Sequence, residues 1–97
     1  MTYKLIILPL AKKDILDAAT WYKSKQKDLG TKFVKSIRNE LKYIAKHPLS
    51  TINRYKNIHT CVNITFPFMI HYYIENESII ITAVLHTKLD TSNWKKR

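Results

Sequence analysis

The chain has 97 residues, of which 45% are hydrophobic, and it carries 17 Lys and Arg against 7 Asp and Glu. This length predicts one small domain over residues 1–97 with a modest core, and the apolar content excludes a disordered tail. The formal net charge of +10 favours acidic or anionic partners such as nucleic acid, a ribosome or an acidic protein, and it carries no information about fold.

The N-terminal part of the chain predicts a strand followed by a helix. Tyr3–Leu8 is a short apolar run that stops at Pro9, which lacks a backbone donor. A helical pattern begins at Ala11, with apolar residues recurring at three and four positions. That stripe consists of Ile15, Ala18, Ala19 and Tyr22. The apolar run is too short for a signal peptide and is followed by lysines, so we expect a cytosolic protein with no membrane partner.

A second helix follows after a short break. Gly30 is the only glycine, which predicts the break there, and Thr31 is a suitable cap for the next helix. His47-Pro48 predicts where that helix ends. Its inward residues are Phe33, Val34, Ile37, Leu41 and Ile44. A break this short favours an antiparallel helical hairpin.

The second half of the chain predicts strands. Arg54–Ile58 is a candidate edge strand and Cys61–Phe66 a further strand. Two apolar runs, Phe68–Ile74 and Ile79–His86, flank a short polar break at 75–78, which is a hairpin pattern. The last run is apolar almost throughout, which is typical of a central strand paired on both edges.

The predicted fold class is therefore α+β, with an N-terminal strand, a two-helix hairpin and then a three- to four-stranded antiparallel sheet covered by the helices on one face. Strand alternation predicts that one of two sets in the last strand faces the helices. One set is Ile80, Thr82 and Val84, and the other is Ile79, Ile81, Ala83 and Leu85.

Candidate chemistry is sparse. His86 ends the last strand next to Lys88, and it is suited either to acid–base catalysis or to a hydrogen bond at a strand end. Alternation places His71 on the strand opposite, where it either meets His86 or fills space. The single Cys61 excludes an internal disulfide, and the histidines lack the spacing of metal ligands. We therefore predict no metal and no cofactor.

Four basic residues are candidates for binding a phosphate or a target: Arg54, Lys56, Lys88 and Arg97. Tyr55 lies between the first two, and basic residues interleaved with an aromatic ring can hold a phosphate and stack a base. The alternative is an edge strand that charge protects from further pairing.

Six short motifs in this order resemble the RelE/ParE superfamily of bacterial toxins, associated with plasmid stabilisation and growth inhibition. They are Ala11…Asp14-Ile15, Leu29-Gly30…Phe33, His47-Pro48, Phe66-Pro67-Phe68…Tyr72, Ala83-Val84-Leu85-His86 and Asp90…Trp94. Trp21-Tyr22 together with Leu29-Gly30 is more similar to the ParE-like branch. The resemblance implies the toxin of a type II toxin–antitoxin system, neutralised by a cognate antitoxin.

The resemblance leaves three functions open. A ParE-like toxin would inhibit an essential target, DNA gyrase first, by binding. A RelE-like toxin would be an endoribonuclease that cuts mRNA on the ribosome, here with His86. A third option is a chain that only binds its antitoxin. No Lys or Arg occurs from Asn57 to Thr87, so the predicted sheet lacks a cation to offset charge on a scissile phosphate. This favours the binding function.

The expected partner is an acidic, partly disordered antitoxin that wraps the helices and a sheet edge. Its acidic residues would face Lys12, Lys13, Lys23, Arg38 and Lys42. A chain of charge +10 repels itself, so an acidic segment gains attraction along a long path. A homodimer and a toxin–antitoxin hetero-oligomer are both compatible with the sequence.

Overall fold

The computed structural model of the chain describes residues 3–55, 57–63 and 65–88, with the backbone alone for 52–55. The elements are β1 (Lys4–Ile7), α1 (Pro9–Lys25), α2 (Leu29–Lys46), β2 (Ile52–Tyr55), β3 (Ile58–Val62), β4 (Phe68–Glu75) and β5 (Ser78–His86). The predicted α+β order of a strand, two helices and then three or four strands is confirmed, and the strands after the helices number four in the described residues.

The strands form one sheet in the order β1-β5-β4-β3-β2. The strands from β2 to β5 are antiparallel neighbours, as predicted, whereas β1 pairs with β5 in parallel. The sheet is therefore mixed, and the purely antiparallel prediction is wrong for β1. A parallel pair needs a long connection, which the helical hairpin and the strands after it supply. As the apolar run predicted, β5 is paired on both edges.

A register shift changes which residues of β5 face the helices. His71 of β4 lies opposite Ala83 and Tyr72 lies opposite Ile81, so Thr82 is an extra residue in β5. Such a bulge reverses the alternation beyond it. The core against the helices consequently contains Ile79, Ile81 and Val84. Neither predicted set is correct, because each assumed unbroken alternation.

Both helices begin at positions other than those predicted. The first helical residue of α1 is Pro9, where its fixed φ suits the first turn and its missing N–H would have had no partner in the helix. The break between the helices covers 26–28, and Asp28 precedes α2. Gly30 therefore lies inside α2, and the prediction that it forms the break is wrong. The predicted end of α2 at His47 is confirmed.

The predicted strands Arg54–Ile58 and Cys61–Phe66 are both displaced. Asn57 has φ of 65° and lies in the turn between β2 and β3, so the chain reverses within the first of them. After β3 ends at Val62, the Asn63 side chain accepts hydrogen bonds from the backbone N–H groups of Thr65 and Phe66, each at 2.9 Å. The Asn63 side chain thus accepts hydrogen bonds that a neighbouring strand would accept if the chain continued as a strand.

An aromatic cluster joins the helices to the sheet. Tyr22 of α1 stacks on Phe33 of α2 with ring centroids 5.3 Å apart, and Phe66 meets both rings edge to face. Phe68 of β4 lies 5.0 Å from Phe33. Burial of a Phe side chain stabilises a fold by about 1.5–3 kcal/mol, so this cluster fixes the α1–α2 hairpin over β4. Within the described ranges, neither helix has the length and apolarity to cross a membrane.

Candidate functional site

A groove between α1 and α2 is a concave surface with a consistent chemistry. It encloses about 610 Å³. Its apolar lining residues are Ala19, Gly30 and Val34, which are buried or partly buried and which we call the floor, and Leu16, which is 66% exposed. Its charged lining residues in the described part of the chain are all basic, namely Lys23, Lys27, Lys35 and Arg38. We call this surface the basic groove.

Gly30 sets how closely the two helices approach at the basic groove. A Cβ atom at this position would lie 2.8 Å from the Ala19 carbonyl oxygen and 3.1 Å from the Lys23 Cβ. The first contact is with backbone and cannot be relieved by rotating a side chain. Only glycine therefore permits this spacing of α1 and α2.

The residues predicted to face an antitoxin divide into two groups. Lys23 and Arg38 line the basic groove. Lys12 and Lys42 are exposed one helical turn from the lining residues Leu16 and Arg38, so they extend the same two flanks.

Lys13 belongs to a different surface. Its ammonium nitrogen lies 2.9 Å from an Asp17 carboxylate oxygen, outside the basic groove. Conversely, Lys27 and Lys35 line the groove but were not predicted. Lys27 is four residues beyond Lys23, and Lys35 is three residues before Arg38. Helical spacing from Arg38 was the available signal for Lys35, whereas Lys27 lies in the break between the helices.

His86 ends β5 on the side of the sheet that faces the helices. It lies opposite Phe68, and the two rings meet edge to face with centroids 5.3 Å apart. Its Nδ1 accepts a hydrogen bond from the backbone N–H of Lys88 at 3.1 Å. His71 is fully buried opposite Ala83, on the other face of β4. The structure therefore does not bring His71 to His86.

The other predicted phosphate-binding residues are described only in part. Lys88 is exposed two residues beyond His86. Arg54 lies on β2, where the structure describes its backbone alone, and Lys56 and Arg97 lie outside the described residues. Among the residues that are described, no group of three or more His, Cys, Asp or Glu side chains is placed to hold a metal ion.

A partly buried polar cluster between α2 and the end of β3 was not predicted. The Asn63 amide donates to a Glu40 carboxylate oxygen at 2.6 Å and to the Ser36 hydroxyl at 2.9 Å. Burial of the Glu40 carboxylate raises its pKa above the usual range, although contacts with Cys61 and Asn63 oppose the shift. Burial first, and then the neighbouring Glu40 carboxylate, raise the pKa of the Cys61 thiol to about 12. This thiol is therefore protonated at neutral pH and is a poor nucleophile.

Comparisons with known proteins address the family directly. The family model for the ParE toxin of the type II toxin–antitoxin system parDE matches residues 5–90. The structure is similar to one described as the chromosomal ParDE TA system from P. aeruginosa, with a TM-score of 0.79 and 16% sequence identity. That match covers 88% of this chain and 96% of the other. No curated protein matches the sequence. The chain belongs to the ParE toxin family of type II toxin–antitoxin systems.

Proposed function

We propose that the chain inhibits DNA gyrase by binding it, and that an acidic antitoxin segment neutralises the toxin by occupying the basic groove. The observation that carries the second part is the combination of an apolar floor with charged lining residues that are all basic. An amphipathic helix with acidic borders matches both features, since its apolar face fits the floor and its carboxylates face the lysines.

The gyrase part of the proposal is supported by family membership and by the surroundings of His86. The strands β3, β4 and β5 carry no Lys or Arg. The His86 ring packs against Phe68. A ribonuclease needs cations at the scissile phosphate, and these three strands supply none; the described cation nearest to His86 in sequence is Lys88, on the exposed segment after β5.

The decisive experiment measures gyrase supercoiling with the purified chain and, in parallel, primer extension on mRNA after induction in cells. We expect loss of supercoiling with intact transcripts. His86→Ala should leave growth inhibition unchanged. Cleavage at translated codons that His86→Ala abolishes would instead establish the ribonuclease.

The antitoxin part is tested separately with two variants of equal charge. Lys23→Ala with Arg38→Ala removes two cations from the basic groove, whereas Lys13→Ala with Lys32→Ala removes two that are paired with Asp17 and Asp28. We expect that the first variant remains toxic when its antitoxin is co-expressed, and that the second is neutralised like the wild type. Equal neutralisation of both variants would place the antitoxin elsewhere.

A further inference from the structure

A second concave surface lies on the opposite flank of α1 from the basic groove. It encloses about 330 Å³ and is lined by Ala18, Trp21, Tyr22, Pro67, Phe68 and His86. We call it the aromatic cleft. Its volume is near the lower end of the range for ligand sites, about 300–1,000 Å³, which suits one side chain or a small ring. Because a helix turns 100° per residue, Ala18 and Trp21 lie on one flank of α1 while Ala19 and Lys23 lie on the other.

Trp21 is an exposed wall of the aromatic cleft. Its side chain is 57% exposed although it is a large apolar residue. Its ring meets Tyr22 edge to face at 5.0 Å and 85°, and the Lys25 ammonium lies 5.1 Å from its centroid. These contacts hold the ring at the rim of the cleft. Tryptophan is among the side chains most enriched at the energetic centres of protein interfaces. An exposed tryptophan beside a preformed cavity therefore indicates a binding surface.

His86 gives the aromatic cleft a hydrogen-bond donor whose position on the ring is defined. Its Nδ1 accepts the hydrogen bond from Lys88, so in the neutral ring the proton is on Nε2. Nε2–H is consequently the remaining donor of this side chain. The other five lining residues have aromatic or aliphatic side chains, whose polar groups are the Trp21 indole N–H and the Tyr22 hydroxyl. An occupant must therefore be mostly apolar with an acceptor beside the apolar part.

The charges around the aromatic cleft are positive where they are not already paired. Within the described residues, Lys25 and Lys88 form no ion pair with an acidic side chain. At the other end, Asp17 is paired with Lys13, and an Asp14 carboxylate oxygen accepts the Val84 N–H at 3.0 Å. The hydrogen-bond acceptor of the occupant is therefore attracted most strongly if it is a carboxylate near Lys25 and Lys88.

We propose that the aromatic cleft is a second protein-binding site, which takes a single apolar side chain flanked by a carboxylate from a protein partner. The site is separate from the basic groove and does not depend on the identity of the toxin's target. A nucleobase is the competing occupant, since bases stack on aromatic rings. The polar edges of a base would, however, find few polar groups, namely those of Trp21, Tyr22 and His86, in a lining that is mostly apolar.

The test uses the isolated chain, with neither antitoxin nor gyrase, so its outcome is independent of the proposed function. N-acetyl-Leu-Glu-amide is titrated into isotope-labelled protein while the NMR signals of the Trp21 indole and the Phe68 and His86 amides are followed. N-acetyl-Leu-Lys-amide and AMP are the comparison ligands. We expect saturable shifts confined to these residues, and binding of the Lys ligand weaker by about fivefold or more because it meets two lysines.

Two variants make the assignment specific. Trp21→Ala alters an exposed residue and should keep the fold while weakening binding of the Glu ligand by about tenfold. Leu16→Ala, at a side chain 66% exposed in the basic groove, should bind as the wild type does. The proposal is overturned if the shifts are absent, if Trp21→Ala leaves them unchanged, or if AMP shifts the same signals at lower concentration than either dipeptide derivative.

Discussion

At the scale of single residues, Asn63 is the most heavily used polar side chain of the described structure. Its oxygen accepts the N–H groups of Thr65 and Phe66, and its amide donates to Glu40 and Ser36. These bonds attach the β3–β4 loop to α2 and hold Phe66 in the aromatic cluster. Removal of the Asn63 side chain would leave the polar groups that it binds without these hydrogen bonds, and each buried group left unpaired costs about 1–3 kcal/mol.

Glu40 makes this attachment sensitive to pH. Its pKa in the folded chain is raised above the ordinary value of a glutamate side chain, mainly because burial penalises the charged carboxylate. The folded state therefore binds the proton more tightly than the unfolded state. The resulting stabilisation is complete below the unfolded pKa and is lost as pH rises through the folded pKa.

We predict that Glu40→Gln raises the free energy of unfolding near pH 7, since glutamine keeps an acceptor for Asn63 and carries no charge. The difference from the wild type should shrink as pH falls through the raised pKa of Glu40. Urea unfolding across this range measures it. Glu77→Gln, at an exposed turn position, is the matched control. A Glu40→Gln variant less stable than the wild type at neutral pH would mean that the charged hydrogen bond to Asn63 outweighs burial.

The reactivity of the Cys61 thiol provides a second measurement on the cluster around Glu40. With a pKa of about 12 instead of 9.0, its thiolate fraction at neutral pH is about a thousandfold lower than that of an ordinary thiol. We predict that iodoacetamide labels the folded chain very slowly and the urea-unfolded chain at the rate of a free cysteine. The labelling rate is measured by mass spectrometry. Fast labelling of the folded chain would show that the thiol is accessible and easily ionised.

At the scale of elements, the α1–α2 hairpin depends on the close approach at Gly30. An alanine there gains about 0.5–1 kcal/mol of helix propensity. It also places a Cβ 2.8 Å from the Ala19 carbonyl oxygen, and overpacking of this kind costs about 1–3 kcal/mol.

We therefore predict that Gly30→Ala destabilises the chain by about 1–2 kcal/mol in urea unfolding. The substitution should also separate α1 from α2 and weaken antitoxin binding, because the two helices together form the basic groove. Thr31→Ala changes the next, exposed residue and should have little effect on stability. If Gly30→Ala were more stable than the wild type, propensity would dominate and the helices would have room to move apart.

The elements also show what the sequence can and cannot predict. Helical periodicity identified the buried face of α2, because Phe33, Ile37, Leu41 and Ile44 recur at three and four positions and all are buried. The extra residue at Thr82 could not be predicted, since an apolar run such as 79–85 fits either face. The parallel partner of β1 was equally hidden, because alternation does not specify a neighbour. The aromatic cleft was missed because residues from α1 and β5, far apart in sequence, form it together.

At the scale of the whole molecule, some basic residues of the helices form ion pairs and others do not. In the described residues, only Lys13 and Lys32 form ion pairs, each with an acidic residue four positions away. The cations of the basic groove, such as Lys23 and Arg38, form none with described residues. The groove is therefore a surface of uncompensated charge on a chain of net charge +10.

This distribution predicts how a cognate antitoxin associates. Exposed ion pairs contribute about 0–1 kcal/mol each, so the apolar lining residues Leu16 and Val34 should dominate the lifetime of the complex. Long-range attraction should instead set the association rate, and salt screens it beyond about 10 Å at 0.1 M.

We predict that raising salt from about 0.05 to about 0.5 M slows association about tenfold or more and changes dissociation by less than about twofold. Surface-binding kinetics measure both rates. Lys23→Ala with Arg38→Ala should associate more slowly at low salt and depend less on salt than Lys13→Ala with Lys32→Ala, although both variants have a net charge of +8, since 10 − 2 = 8. Equal salt dependence of the two variants would show that total charge, and not the basic groove, steers the antitoxin. An association rate that stays constant with salt would exclude electrostatic steering altogether.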